Sequence, residues 1–85
     1  MSSIVNPGGM VTFTDNETPS GTIDGTNRTF TLATAPNPAT SLRLFLNGAY
    51  QTPGGEDYDL SSLTITFVVG NAPLTNSIMR VFYRT

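Results

Sequence analysis

Apolar and polar residues alternate with a period of two in several short runs along this chain. The clearest is Ser41-Leu42-Arg43-Leu44-Phe45-Leu46, where Leu42, Leu44 and Leu46 fall on one face and Arg43 and Phe45 on the other. It runs directly into Asn47-Gly48-Ala49-Tyr50-Gln51. Asn-Gly next to an alternating run predicts a two-residue hairpin, because a type I′ turn needs positive φ at both central positions. Leu63-Thr64-Ile65-Thr66-Phe67-Val68 repeats the pattern and predicts a core face of Leu63, Ile65 and Phe67. Ser77-Ile78-Met79-Arg80-Val81-Phe82-Tyr83 predicts a last strand, with Met79, Val81 and Tyr83 on one face and Ile78, Arg80 and Phe82 on the other. Shorter strands are predicted over 10–14, 21–23, 28–32 and 56–60.

Punctuation between these runs is strong. Ala35-Pro36-Asn37-Pro38 cannot continue a central strand, since two prolines remove two ladder donors. Thr52-Pro53-Gly54-Gly55, Ser61-Ser62 and the Pro73 loop break the chain again. No window carries an i, i+3, i+4, i+7 apolar pattern, so no substantial helix is expected. The expectation is an all-β fold, a small antiparallel β-sandwich or partly closed barrel of about seven short strands. It forms a single domain over 10–85, preceded by an arm over 1–9. Pro7-Gly8-Gly9 makes a poor strand, so Ile4, Val5, Asn6 and Pro7 are expected to attach the chain to a neighbour.

Composition narrows the chemistry. A chain of 85 residues buries only about 60–65% of its unfolded surface, and this one has neither cysteine nor histidine to staple it. Association with copies of itself or with a larger assembly is the remaining common remedy. All four basic residues are arginines, against six acidic ones, for a net charge of −2. No basic face is therefore expected, and nucleic acid is not an expected partner. No apolar run is long enough to span a membrane, and Met1-Ser2-Ser3-Ile4-Val5-Asn6-Pro7 lacks the basic start and apolar run of a signal peptide, so synthesis in a cytoplasm is expected.

Without His, Cys or Lys the chain has no Ser-His-Asp triad, thiolate, Schiff base or phosphate-loop lysine. Glu56, Asp57 and Asp59 are the main acidic cluster, but Glu56 points away from the other two, and a carboxylate pair needs a substrate cleft between its members. The chain is expected not to be an enzyme and to carry no cofactor. The same carboxylates, with Asp24 and Asn27, lack an EF-hand spacing, so no metal is expected either. Asn16-Glu17-Thr18 and Asn27-Arg28-Thr29 match the N-glycosylation pattern and are read as turn residues.

Arg43 and Phe45, and Arg80 and Phe82, occupy the faces that a lone sandwich would turn to solvent. Aromatics and arginine are enriched at protein interfaces, so these four residues are the candidate interface, the phenylalanines as anchors and the arginines at the rim. The competing reading places both rings under a loop as ordinary core.

The order of these pieces resembles a known module. Asp15 to Asn27 leads into Arg28-Thr29-Phe30-Thr31-Leu32, followed by Pro36-Asn37-Pro38, the run Ser41 to Gly48, Asp57-Tyr58-Asp59-Leu60, Leu63-Thr64-Ile65-Thr66-Phe67 and a closing Val81-Phe82-Tyr83-Arg84. It resembles, over roughly 14–84, a small β module of tailed-bacteriophage structural proteins, found in tail fibres and virion surface components. The resemblance implies a non-enzymatic virion protein, a capsid decoration or small fibre or tail-associated component that binds other virion proteins. It further implies a homo-oligomer, with a trimer favoured because such proteins are often three-fold. No active site comes with it. The alternative is a carbohydrate-binding module for host glycans. The chain has no tryptophan and only Tyr50, Tyr58 and Tyr83 among tyrosines to serve as sugar platforms.

Overall fold

The computed structural model describes residues 12–85. Seven strands are found among them: β1 (Phe13–Glu17), β2 (Thr29–Thr31), β3 (Arg43–Leu46), β4 (Ala49–Gln51), β5 (Tyr58–Ser61), β6 (Thr64–Phe67) and β7 (Met79–Arg84). One turn of 3-10 helix, Ala39–Ser41, leads into β3. The fold is all-β, as the alternating runs predict. Its strands form two antiparallel sheets, ordered β1-β7-β3-β4 and β2-β6-β5, which do not close into a barrel.

The central hairpin forms where the Asn-Gly pair places it. Asn47 (φ 53°) and Gly48 (φ 84°) are the two turn residues, and Leu46 pairs with Ala49 across them. Tertiary contacts lock this turn further. Asn47 donates its backbone N–H to the Ile78 carbonyl (2.8 Å), and its side-chain oxygen accepts the Ile78 N–H (2.8 Å). The hairpin tip is thereby clipped to the entry of β7.

Both sheets turn one face inward. Leu42, Leu44, Met79, Val81 and Tyr83 come from the four-stranded side, and Phe30, Leu32, Tyr58, Ile65 and Phe67 from the three-stranded side. Phe67 is the aromatic hub, edge-on to Phe30 at 5.8 Å and tilted against Tyr58 at 6.1 Å. Burying each such side chain stabilises the fold by roughly 1.5–3 kcal/mol.

Three local expectations are corrected. The first strand, expected over 10–14, runs from Phe13 to Glu17; positions 10 and 11 lie outside the described residues. Asp15-Asn16-Glu17 has turn composition, but β7 supplies the backbone partners that composition does not reveal. Thr14 pairs with Tyr83 and Glu17 with Val81, with a register shift between them that Asn16 (φ 60°) absorbs. Secondly, residues 21–23 form no strand. Only Ser20 bridges Thr31, and Gly21 (φ 147°) lies so close to the Phe30 ring that a Cβ there would collide with it. Thirdly, Leu63 is not core. The β5–β6 hairpin turns through Ser62 (φ 54°) and Leu63, pairing resumes at Ser61 with Thr64, and Leu63 is left on the surface.

Candidate functional site

The four residues picked out by alternation come together on the outer face of the four-stranded sheet. β3 and β7 are antiparallel neighbours whose register sets Arg43 opposite Phe82 and Phe45 opposite Arg80. Residues directly opposite on one face interact across the strands, so each arginine stands beside a ring of the next strand. The diagonal brings the two rings into edge-to-face contact, with centroids 5.9 Å apart and planes at 88°. Both rings are half-buried and neither belongs to the core cluster. They cover each other in part.

The patch is larger than those four residues. Tyr50 lies opposite Phe45 in the hairpin, with its ring 5.8 Å away, and is 47% exposed. Phe13 lies opposite Arg84 at the other margin and is 69% exposed. Each strand of the sheet thus contributes one ring, in the order Phe13, Phe82, Phe45, Tyr50, with Arg84, Arg43 and Arg80 set between them. Two of these additions were readable from sequence. A two-residue loop at Asn47-Gly48 forces Tyr50 opposite Phe45, and a period of two carries Arg80 and Phe82 on to Arg84. Phe13 was not readable, because its neighbour in the sheet is 71 positions away, at Arg84.

Arginine heads are anchored by backbone and hydroxyl oxygens. Arg43 donates to the carbonyls of Thr40 (2.7 Å) and Leu42 (3.1 Å), and Arg80 donates to Thr18 Oγ1 (2.9 Å) and the Met79 carbonyl (3.0 Å). Three of the four basic residues of a net-acidic chain therefore share one face, a concentration that overall charge does not reveal. A shallow depression of about 260 Å³ opens on that face between Phe13, Asp15, Arg43, Phe82 and Arg84. At the β1 margin Tyr83 turns inward and donates its hydroxyl to Glu17 Oε1 (2.6 Å), while Glu17 Oε2 accepts the Ala33 N–H (3.0 Å). Burial first, and then this bond, holds the Tyr83 proton above its ordinary range.

Two of the acidic residues considered as ion ligands, Asp24 and Asp57, are occupied by backbone. Asp24 Oδ1 accepts the N–H groups of Thr26 (2.9 Å) and Asn27 (2.8 Å), bonds that lower its pKa below the ordinary carboxylate value. Asp57 accepts the Thr52 N–H (2.7 Å). Among the described residues no three His, Cys, Asp or Glu side chains gather to hold a metal ion. The arm residues Ile4, Val5, Asn6 and Pro7 lie outside the described residues.

In comparison with known proteins, no family model, no curated protein and no solved structure matches this chain.

Proposed function

We propose that this chain is a non-enzymatic structural module of a bacteriophage particle, a capsid decoration or small fibre or tail-associated protein. It assembles with copies of itself, and with neighbouring virion proteins, through the outer face of the four-stranded sheet. The observation that supports assembly is the alternation of ring and arginine in Arg43 opposite Phe82 and Phe45 opposite Arg80. A face of this kind offers both halves of a cation–π contact, because an arginine of one copy lies over a ring of the next. Completing the burial of Phe45 and Phe82 while covering Phe13 and Tyr50 supplies several increments of roughly 1–3 kcal/mol each. A trimer is favoured from the three-fold habit of the proteins that this chain resembles, and the virion is the site where it acts.

Sedimentation velocity over a range of concentrations tests the assembly. The wild-type protein is expected to sediment as a trimer. Phe45→Ser combined with Phe82→Ser is expected to give a monomer with its β-type circular dichroism intact. A wild-type monomer at high concentration overturns the assembly, and complete unfolding of the double variant returns both rings to the core. Electron microscopy of labelled protein on a phage particle tests the virion assignment separately.

A further inference from the structure

A second concavity, of about 430 Å³, lies at the open margin of the sandwich where β3 and β4 face β5. Its size falls in the range of small-molecule sites. Leu42, Leu60 and Pro53 give it apolar wall, and Arg43, Tyr50 and Asp59 give it polar groups. Tyr58 also lines it. That side chain is wholly buried, and its hydroxyl has no hydrogen-bond partner among the described residues. A buried polar group left in this state costs roughly 1–3 kcal/mol, so a fold that retains one calls for an explanation. The hydroxyl proton is held up to about 12, first by burial and then by Tyr50, with Arg43 pulling the other way; the phenol is therefore a neutral donor, in electrostatic reach of two residues of the recess wall.

We infer that this recess is a binding site for one ring of a sugar, with the Tyr58 hydroxyl, covered in the free chain and reached by a side-chain shift of the recess wall, as its innermost polar contact. The lining selects the ligand class. One cation and one anion leave it without a net preference for charge, which disfavours a phosphate or an amine. Donors at Tyr58 and Arg43, an acceptor at Asp59 and a phenol at Tyr50 that does either suit a ligand with hydroxyls around its edge. Leu42, Leu60 and the Tyr50 ring suit the C–H face that a pyranose presents between those hydroxyls. This site adjoins the sheet face proposed for assembly and shares Arg43 and Tyr50 with it.

Amide NMR titration of the whole chain with D-glucose, D-galactose, N-acetyl-D-glucosamine and L-rhamnose at millimolar concentration tests the inference, with glycerol as the control. At least one sugar is expected to shift the signals of Gly54, Tyr58, Asp59 and Leu60, and glycerol none of them. Tyr58→Phe removes only the oxygen. It is expected to weaken the sugar by about tenfold while leaving the fold as stable or more so and the sedimentation unchanged. Absence of shifts with every sugar overturns the site, as do equal shifts with glycerol or shifts confined to the outer sheet face. Undiminished affinity in Tyr58→Phe overturns the role of the hydroxyl. Loss of stability in that variant shows a hydroxyl already satisfied inside the fold, by water for example, and also counts against the inference. A monomeric wild-type protein that still binds sugar separates this site from the assembly reading.

Discussion

The two sheets of this sandwich share a strand logic and present opposite chemistry to the outside. On the three-stranded sheet, Thr29 pairs with Thr66 and Thr66 with Asp59, while Thr31 pairs with Thr64 and Thr64 with Ser61. Every outward position there is a hydroxyl or a carboxylate. On the four-stranded sheet the equivalent positions hold Phe13, Phe82, Phe45 and Tyr50 interleaved with three arginines. Alternation tells which residues face the core, and it does so equally well in both sheets. The identity of the outward residues then separates a face that water satisfies from one that gains by being covered. The hydroxyl face has nothing to gain from a partner, since its groups are already solvated.

The strongest way to break that comparison is to substitute neighbours on opposite faces of β3. Leu44→Ala is expected to cost about 2–5 kcal/mol of stability, because it leaves a cavity between the sheets. Phe45→Ala is expected to cost no more than about 1.5 kcal/mol in the dissociated chain, because its ring is only half-buried. Urea unfolding at low protein concentration measures both, and equal losses would put Phe45 in the core.

Next in size is the turn that aligns the two faces. Gly48 sits at φ 84° with open space around it, so Gly48→Val is opposed by backbone strain and not by crowding. The expected loss is at least about 1 kcal/mol by the same measurement.

The buried phenol of the three-stranded sheet yields a pH dependence. Tyr58 holds its proton up to about 12 in the fold against an ordinary value of 10.0, so above pH 10 the unfolded chain releases a proton that the folded chain keeps. Stability is therefore expected to fall as pH rises through that window and to be insensitive to this group below it. Tyr83 adds to the loss in the same direction. The urea midpoint followed into alkali checks this, and Tyr58→Phe is expected to flatten the decline.

The smallest stability effect is expected from rebuilding one outer face as the other. Thr31→Arg with Thr64→Phe copies the arrangement of Arg43 and Phe82 onto a directly paired position of the three-stranded sheet. Stability should change by no more than about 0.5 kcal/mol, as for most surface substitutions. Self-association should appear when the pair is placed in the Phe45→Ser, Phe82→Ser background. Sedimentation unchanged by the graft would show that a ring beside an arginine is not what makes a face associate.

Much of this was written in the order of residues. Periodicity of two, the Asn-Gly pair and the proline breaks determined an all-β chain, placed the hairpin at Asn47-Gly48, and grouped Leu42 and Leu44 with the core and Phe45 and Phe82 opposite. These features act between neighbours in the chain, where steric rules and pleat geometry leave few alternatives. What depends on distant pairing was decided only in three dimensions. Asp15-Asn16-Glu17 became a strand because β7 lay beside it, Phe13 joined the aromatic row through Arg84, and three scattered arginines became one face. Leu63 lost its core place to a turn that falls one step later than alternation implies. The Tyr58 hydroxyl, unpartnered among the described residues, has no trace in the sequence at all, because a hydrogen bond left unmade is a property of every residue packed around it.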